Sequence, residues 1–257
     1  MNGIEDIARF FVEILCKDFE VDVIPNVIHF RPHVHIRGSY YAKVCAITIS
    51  ELNHRTIIHE FIHHLQYERV GYSYDKYIRE WLRESKKPYI FRESEIEARI
   101  MTDILYDIYR QVFKNMFRAK PIGRENLCRY LVTRIYYYLR KVDECLKTEI
   151  EEVIGMHDLM LWDIADFYMR IRYITKYAVR VCFGRWDIPE SEELDKYTRH
   201  IRKLANRYRT LLKRERKQPE TEIEYINRIS RMYNRLEELH TEFKDLISRV
   251  FPTQSIW

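Results

Sequence analysis

Apolar residues recur at helical spacing from Ile4 through Ile7, Ala8, Phe11, Ile14 and Leu15 to Phe19, which predicts an amphipathic opening helix with one packing face. The pattern then shortens. Val21, Val23 and Ile24 stop at Pro25, Val27, Ile28 and Phe30 stop at Pro32, and further short runs occupy Val34 to Arg37 and Tyr40 to Ile49. Three or four short strands in a small sheet fit this stretch. The last run leads into a helix with Ile57, Phe61 and Leu65 on one side, capped by Ser50 or Asn53 and closed by Gly71. A shorter helix is expected from about Asp75 to Arg83, and a long one from about Arg92 to Phe117.

Pro121-Ile122-Gly123 interrupts the pattern, and beyond it Arg129 to Val153 and Met156 to Phe183 read as two core helices. Two more follow after Pro189 and Pro219. Tyr197, Ile201, Leu204, Tyr208 and Leu211 alternate by four and three, as do Tyr225, Ile229, Met232, Leu236, Leu239, Phe243 and Leu246. These are coiled-coil-like seams, and the short turn around Gln218 predicts an antiparallel helical hairpin.

Composition narrows the class. In 257 residues, 46% are hydrophobic and 32% charged, which excludes disorder and supports a sizeable core. Only six glycines and seven prolines favour long helices over a turn-rich β fold. No apolar run approaches the about 18 residues of a membrane span, and Glu5 and Asp6 stand where a signal peptide carries basic residues. The expectation is a cytoplasmic protein with no membrane partner. Cys16, Cys45, Cys128, Cys145 and Cys182 form no CxxC pair and are read as buried thiols.

Within the third predicted segment lies His59-Glu60-Phe61-Ile62-His63. Two histidines four apart share a helix face with β-carbons about 5–6 Å apart, close enough for one metal ion. They fall on a different side of the wheel from Ile57, Phe61 and Leu65, with Ile62 and Gln66 beside them; His64 projects elsewhere and is read as structural. The run resembles the HExxH signature of the zincins, which implies zinc on His59 and His63 and Glu60 as general base. His33 and His35 could share one strand face, but no third ligand stands near them, and they are read as surface histidines.

A catalytic zinc keeps three protein ligands and an open position. No histidine follows His64 until His157, so a carboxylate is required, and Glu93, Glu95 and Glu97 open the long helix. Here the sequence resembles the gluzincins, the thermolysin-like branch, in its minimal intracellular form. In that branch a second helix supplies a glutamate followed by small residues three and seven positions on. Glu95 fits best, with Ala98 and Thr102 at those offsets, whereas Glu97 places Ile100 and Ile104 there. Where the branch carries an acidic or amide residue four positions on, this chain has Arg99, so a contact orienting a metal histidine must come from elsewhere; Asp103 is one candidate. The resemblance covers roughly residues 27–117. It implies hydrolysis of a protein or peptide substrate, with an oxyanion donor from Tyr72, Tyr74, Tyr77 or Tyr89.

The first hairpin arm changes the picture again. Residues 196–217 hold ten Lys/Arg against a single acid, Glu215, and make Arg207, Arg209, Lys213 and Arg214 candidate nucleic-acid contacts. Residues 220–249 hold seven acids against five bases and could face that arm. The seam could also support a homo-oligomer. The expected architecture is mainly α within an α+β class: a zincin-like domain over 1–118 with a small sheet, then a helical domain over 119–257 ending in the hairpin. The competing function is a helical nucleic-acid- or protein-binding module whose metal is structural or whose site is inactive.

Overall fold

The computed structural model describes residues 3–30, 37–114, 118–147, 157–215 and 222–252. It is mostly helical, and the described residues form eight α-helices and a three-stranded sheet near the N-terminus. The chain divides into two compact units, Met1–Cys128 and Arg129–Trp257. Among the described residues no helix is long and apolar enough to cross a membrane.

In the first unit, α1 (Ile4–Phe19) buries Ala8, Phe11, Val12, Ile14, Leu15 and Phe19, the stripe its periodicity marks. Its buried Asp18 accepts hydrogen bonds from Tyr109 Oη (2.8 Å) and from the backbone N–H groups of Ile122 (3.1 Å) and Gly123 (2.7 Å). Three donors offset the cost of burying that carboxylate, and they tie the Pro121–Gly123 break back to α1.

The sheet contains β1 (Asn26–His29), β2 (Gly38–Tyr41) and β3 (Ala46–Ile49) in the order β1-β3-β2. Central β3 pairs in parallel with β1 and antiparallel with β2, in registers that set Val27 beside Ile47 and Tyr40 beside Ile47. The run Tyr40 to Ile49 is therefore two strands rather than one. A 3-10 turn at Ala42–Val44 and the left-handed Cys45 (φ 47°) reverse the chain between them. His33, His35 and most of the Val34–Arg37 run lie outside the described residues.

Next come α2 (His54–Arg69), α3 (Tyr74–Ser85) and α4 (Glu93–Lys114). Asn53 caps α2, its side-chain oxygen accepting from Thr56 N–H at 3.2 Å, while Gly71 takes the left-handed conformation (φ 70°) just past the end. β2 lies tightly against α2 at Gly38, where a β-carbon would stand 2.5 Å from Thr56 Cγ2 and 3.2 Å from Glu60 Cγ. Only glycine permits that approach.

The second unit receives α5 (Arg124–Leu146), which begins in the first, and adds α6 (His157–Phe183), α7 (Ser191–Glu215) and α8 (Glu222–Val250). Leu131, Ile135, Leu139, Ile164, Tyr168, Ile171, Ile201, Leu236 and Phe243 are buried in its core. Tyr197 near the start of α7 donates to Glu242 near the end of α8 at 2.9 Å, so the two run antiparallel. α7 packs more extensively on α6 than on α8. Cys16 is free and buried, Cys45 and Cys145 are free and part-buried, and Cys128 and Cys182 are each in disulfide form. The reading of all five as thiols fails for these two, which share no diagnostic spacing.

Candidate metal centre

The histidine pair comes from α2 and the carboxylate from α4. His59 and His63, one turn apart, place their rings 5.0 Å apart and nearly perpendicular. Opposite them, Glu95 Oε2 lies 3.3 Å from His59 Nε2 and Glu95 Oε1 lies 3.6 Å from His63 Nε2. The donor atoms of all three residues fall within 4.8 Å of one another. Ligands about 2.0–2.2 Å from a tetrahedral zinc stand about 3.3 Å apart, so the spacing suits such an ion. A second observation points the same way. Glu95 Oε2 is buried, yet its approach to His59 makes no hydrogen bond of acceptable geometry, and a buried carboxylate oxygen needs a partner.

The close approach of the two helices depends on the small residues of α4. Ala98 and Thr102 are buried one and two turns beyond Glu95, and the Thr102 hydroxyl folds back onto Ala98 O at 2.6 Å. Glu97, only 2% exposed, is taken by Arg69 of α2, with contacts of 2.6 and 3.4 Å from the two guanidinium nitrogens. Its position among apolar residues is explained by that ion pair and not by a metal.

Gln66 supplies the orienting contact that Arg99 does not. Its Oε1 lies 2.9 Å from His63 Nδ1, so Nδ1–H donates and Nε2 is left to face Glu95. Gln66 Nε2 in turn donates to Ser94 O (3.0 Å), and Ser94 N–H and Oγ donate to Glu84 of α3 at 3.1 and 2.6 Å. Arg99 instead bonds Ile90 O at 2.6 Å, and Asp103 pairs with Arg55 at 2.7 Å. These two pairs flank a cleft beside His59 that Thr56 and Thr102 also line. The Gln66 contact escapes a reading of the sequence that looks for acids. Its only local signal is the three-residue spacing from His63, which places both on one helix face. Gln66→Leu is expected to retain the fold and weaken zinc affinity by about 10–100-fold, measured by competition with a chromophoric chelator.

Glu60 points to the same side, 7% exposed, with Gly38 of β2 packed against its side-chain stem. Burial raises the Glu60 pKa, opposed by His63 and His59. For Glu95 burial also acts upward, but the two imidazoles outweigh it and hold the carboxyl far below the usual range. Burial acts downward on His63, while Glu95 and Glu60 lift it to about 9. A metal must displace that proton, so uptake weakens as pH falls below about 9.

No family model, curated protein or solved structure matches this chain. Its chemistry is therefore read from its own residues. His64 is structural: Nε2–H donates to Val23 O at 2.8 Å, and Nδ1 lies 3.0 Å from the Tyr40 hydroxyl. Burial lowers its pKa to about 4, which keeps it neutral. Of the four tyrosines, Tyr72 packs on the rings of His64 and Tyr67. Tyr77 and Tyr89 are the two whose phenols interact with the site. Burial raises the pKa of each, and the carboxylates of Glu95 and Glu60 add to the rise. Both stay protonated donors at neutral pH.

Proposed function

We propose that this chain is a zinc-dependent peptidase of the gluzincin type it resembles, hydrolysing protein or peptide amide bonds. The observation that carries this reading is the convergence of His59, His63 and Glu95 on one point, with a buried carboxylate oxygen that lacks a hydrogen bond. Two imidazoles and one carboxylate make a donor set that zinc accepts. When bound, the ion supplies Lewis-acid polarisation of a carbonyl and lowers the pKa of water.

The other roles belong to side chains. Glu60, beside the triad and outside it, takes a proton from the attacking water and delivers it to the leaving amine. A raised pKa suits a group that must do both near neutrality. Tyr77, half-buried and facing both Glu60 and Glu95, donates to the oxygen that gains charge at the reacting carbonyl. Among the described residues β2 pairs only with β3, and an extended peptide added to its other edge runs past Glu60.

The test combines a metal count with a cleavage assay on the full chain. One zinc per chain is expected, together with cleavage of an unfolded protein substrate that stops on chelation and returns with zinc. Zinc without cleavage would leave a structural metal and defeat the peptidase reading. No zinc at all would defeat the site.

A further inference from the structure

The outer face of α7 takes no part in the metal centre. Leu194, Thr198, Ile201 and Ala205 fix the inner face in the core of the second unit. On the opposite side Lys196, Arg199, His200, Lys203 and Arg207 are all exposed. Their spacing of 3, 4, 7 and 11 residues from Lys196 places them in one stripe along the axis. With Leu204 they line a surface groove of about 450 Å3.

The charges of this stripe are largely unspent. Arg199 pairs with Asp195 at 3.0 Å, but Lys196, Lys203 and Arg207 meet no acidic partner among the described residues. Among the described residues no ion pair joins an acid of α8 to Lys196, Lys203 or Arg207. Glu238 pairs within its own helix with Arg235 at 2.7 Å, and Glu242 accepts from the neutral Tyr197 phenol. Neutralisation across the hairpin therefore finds no support in the described contacts. Arg207 faces the groove, while the side chains of Arg209, Lys213 and Arg214 lie outside the described residues.

We infer that this stripe is a binding site for the phosphodiester backbone of duplex nucleic acid. From Lys196 to Arg207 the stripe runs about 16 Å at 1.5 Å per residue. One strand of a duplex presents about five phosphates over that length. A single small anion engages one or two such cations, whereas a row of this length suits a regular polyanion. Among the described residues the stripe holds no Phe, Tyr or Trp, and the single imidazole of His200 does not make the succession of stacking platforms with which proteins hold single strands. Five cationic or imidazole side chains in one row suit contact to phosphates, which positions a duplex without reading its sequence.

The test is fluorescence anisotropy of a labelled 30-base-pair DNA duplex with the full chain, between 50 and 200 mM salt. Binding is expected to weaken with salt along a log–log slope of about −3 to −4, which corresponds to roughly four phosphate contacts. The triple variant Lys196→Gln, Lys203→Gln, Arg207→Gln is expected to flatten that slope by about 3 and lose at least about tenfold in affinity at 50 mM salt. Lys196→Arg with Lys203→Arg is expected to keep both. Far-UV circular dichroism and zinc content report folding of each variant, and both readouts stand apart from any cleavage activity. Absence of binding at 50 mM salt, or an unchanged slope in a folded triple variant, would overturn the inference.

Discussion

Glu60→Gln is expected to lower kcat for peptide cleavage by about 10²–10⁴-fold while one zinc per chain stays bound. The amide keeps the shape of the carboxylate but cannot accept a proton from water. The ligand set is untouched, because Glu60 is not among the three groups whose donor atoms converge. The side-chain stem that packs against Gly38 is unchanged, so β2 keeps its place. Activity within a factor of ten of wild type, at full zinc occupancy, would remove Glu60 from the chemistry.

Glu95→Ala is expected to abolish stoichiometric zinc, and with it all cleavage. Two imidazoles remain, but the third donor and the negative charge that balances the ion are gone, so the loss exceeds the about 10–100-fold that removal of an orienting partner costs. Glu97→Ala provides the contrast. It should retain zinc, because Glu97 is held by Arg69, and should instead lower stability towards the lower end of about 3–5 kcal/mol, since Arg69 is only partly exposed. Elemental analysis and chemical denaturation, run side by side on the two variants, read both effects. Zinc retained by Glu95→Ala and lost by Glu97→Ala would exchange the two assignments.

Much of the first unit was legible because its signals are local. The periodicity of α1 gave both of its ends, and Asn53 and Gly71 marked the limits of α2 through cap chemistry. The turn between β2 and β3 was not legible, because its left-handed residue is Cys45 rather than Gly or Asn. The shorter helix expected around Asp75 to Arg83 is present as α3, but that none of its residues is buried, with Trp81 and Leu82 about half exposed, has no signal in its sequence. At the candidate metal centre, the small residues after Glu95 mark the face of α4 that lies close to α2, and Glu97 pairs with Arg69 instead. The pairing of Arg69 with Glu97, and the contact from Gln66 to Ser94, each join residues 28 apart in sequence. No local pattern encodes such contacts; they exist only once α2 and α4 are packed.

The chain of hydrogen bonds from His63 through Gln66 and Ser94 to Glu84 has a mechanical consequence. Its last anchor stands on α3, a surface helix with little buried area to hold it closed. His63, a candidate metal ligand, is thus tethered to a helix that has no buried residue of its own. The orientation of the His63 ring therefore depends, through three links, on where α3 lies.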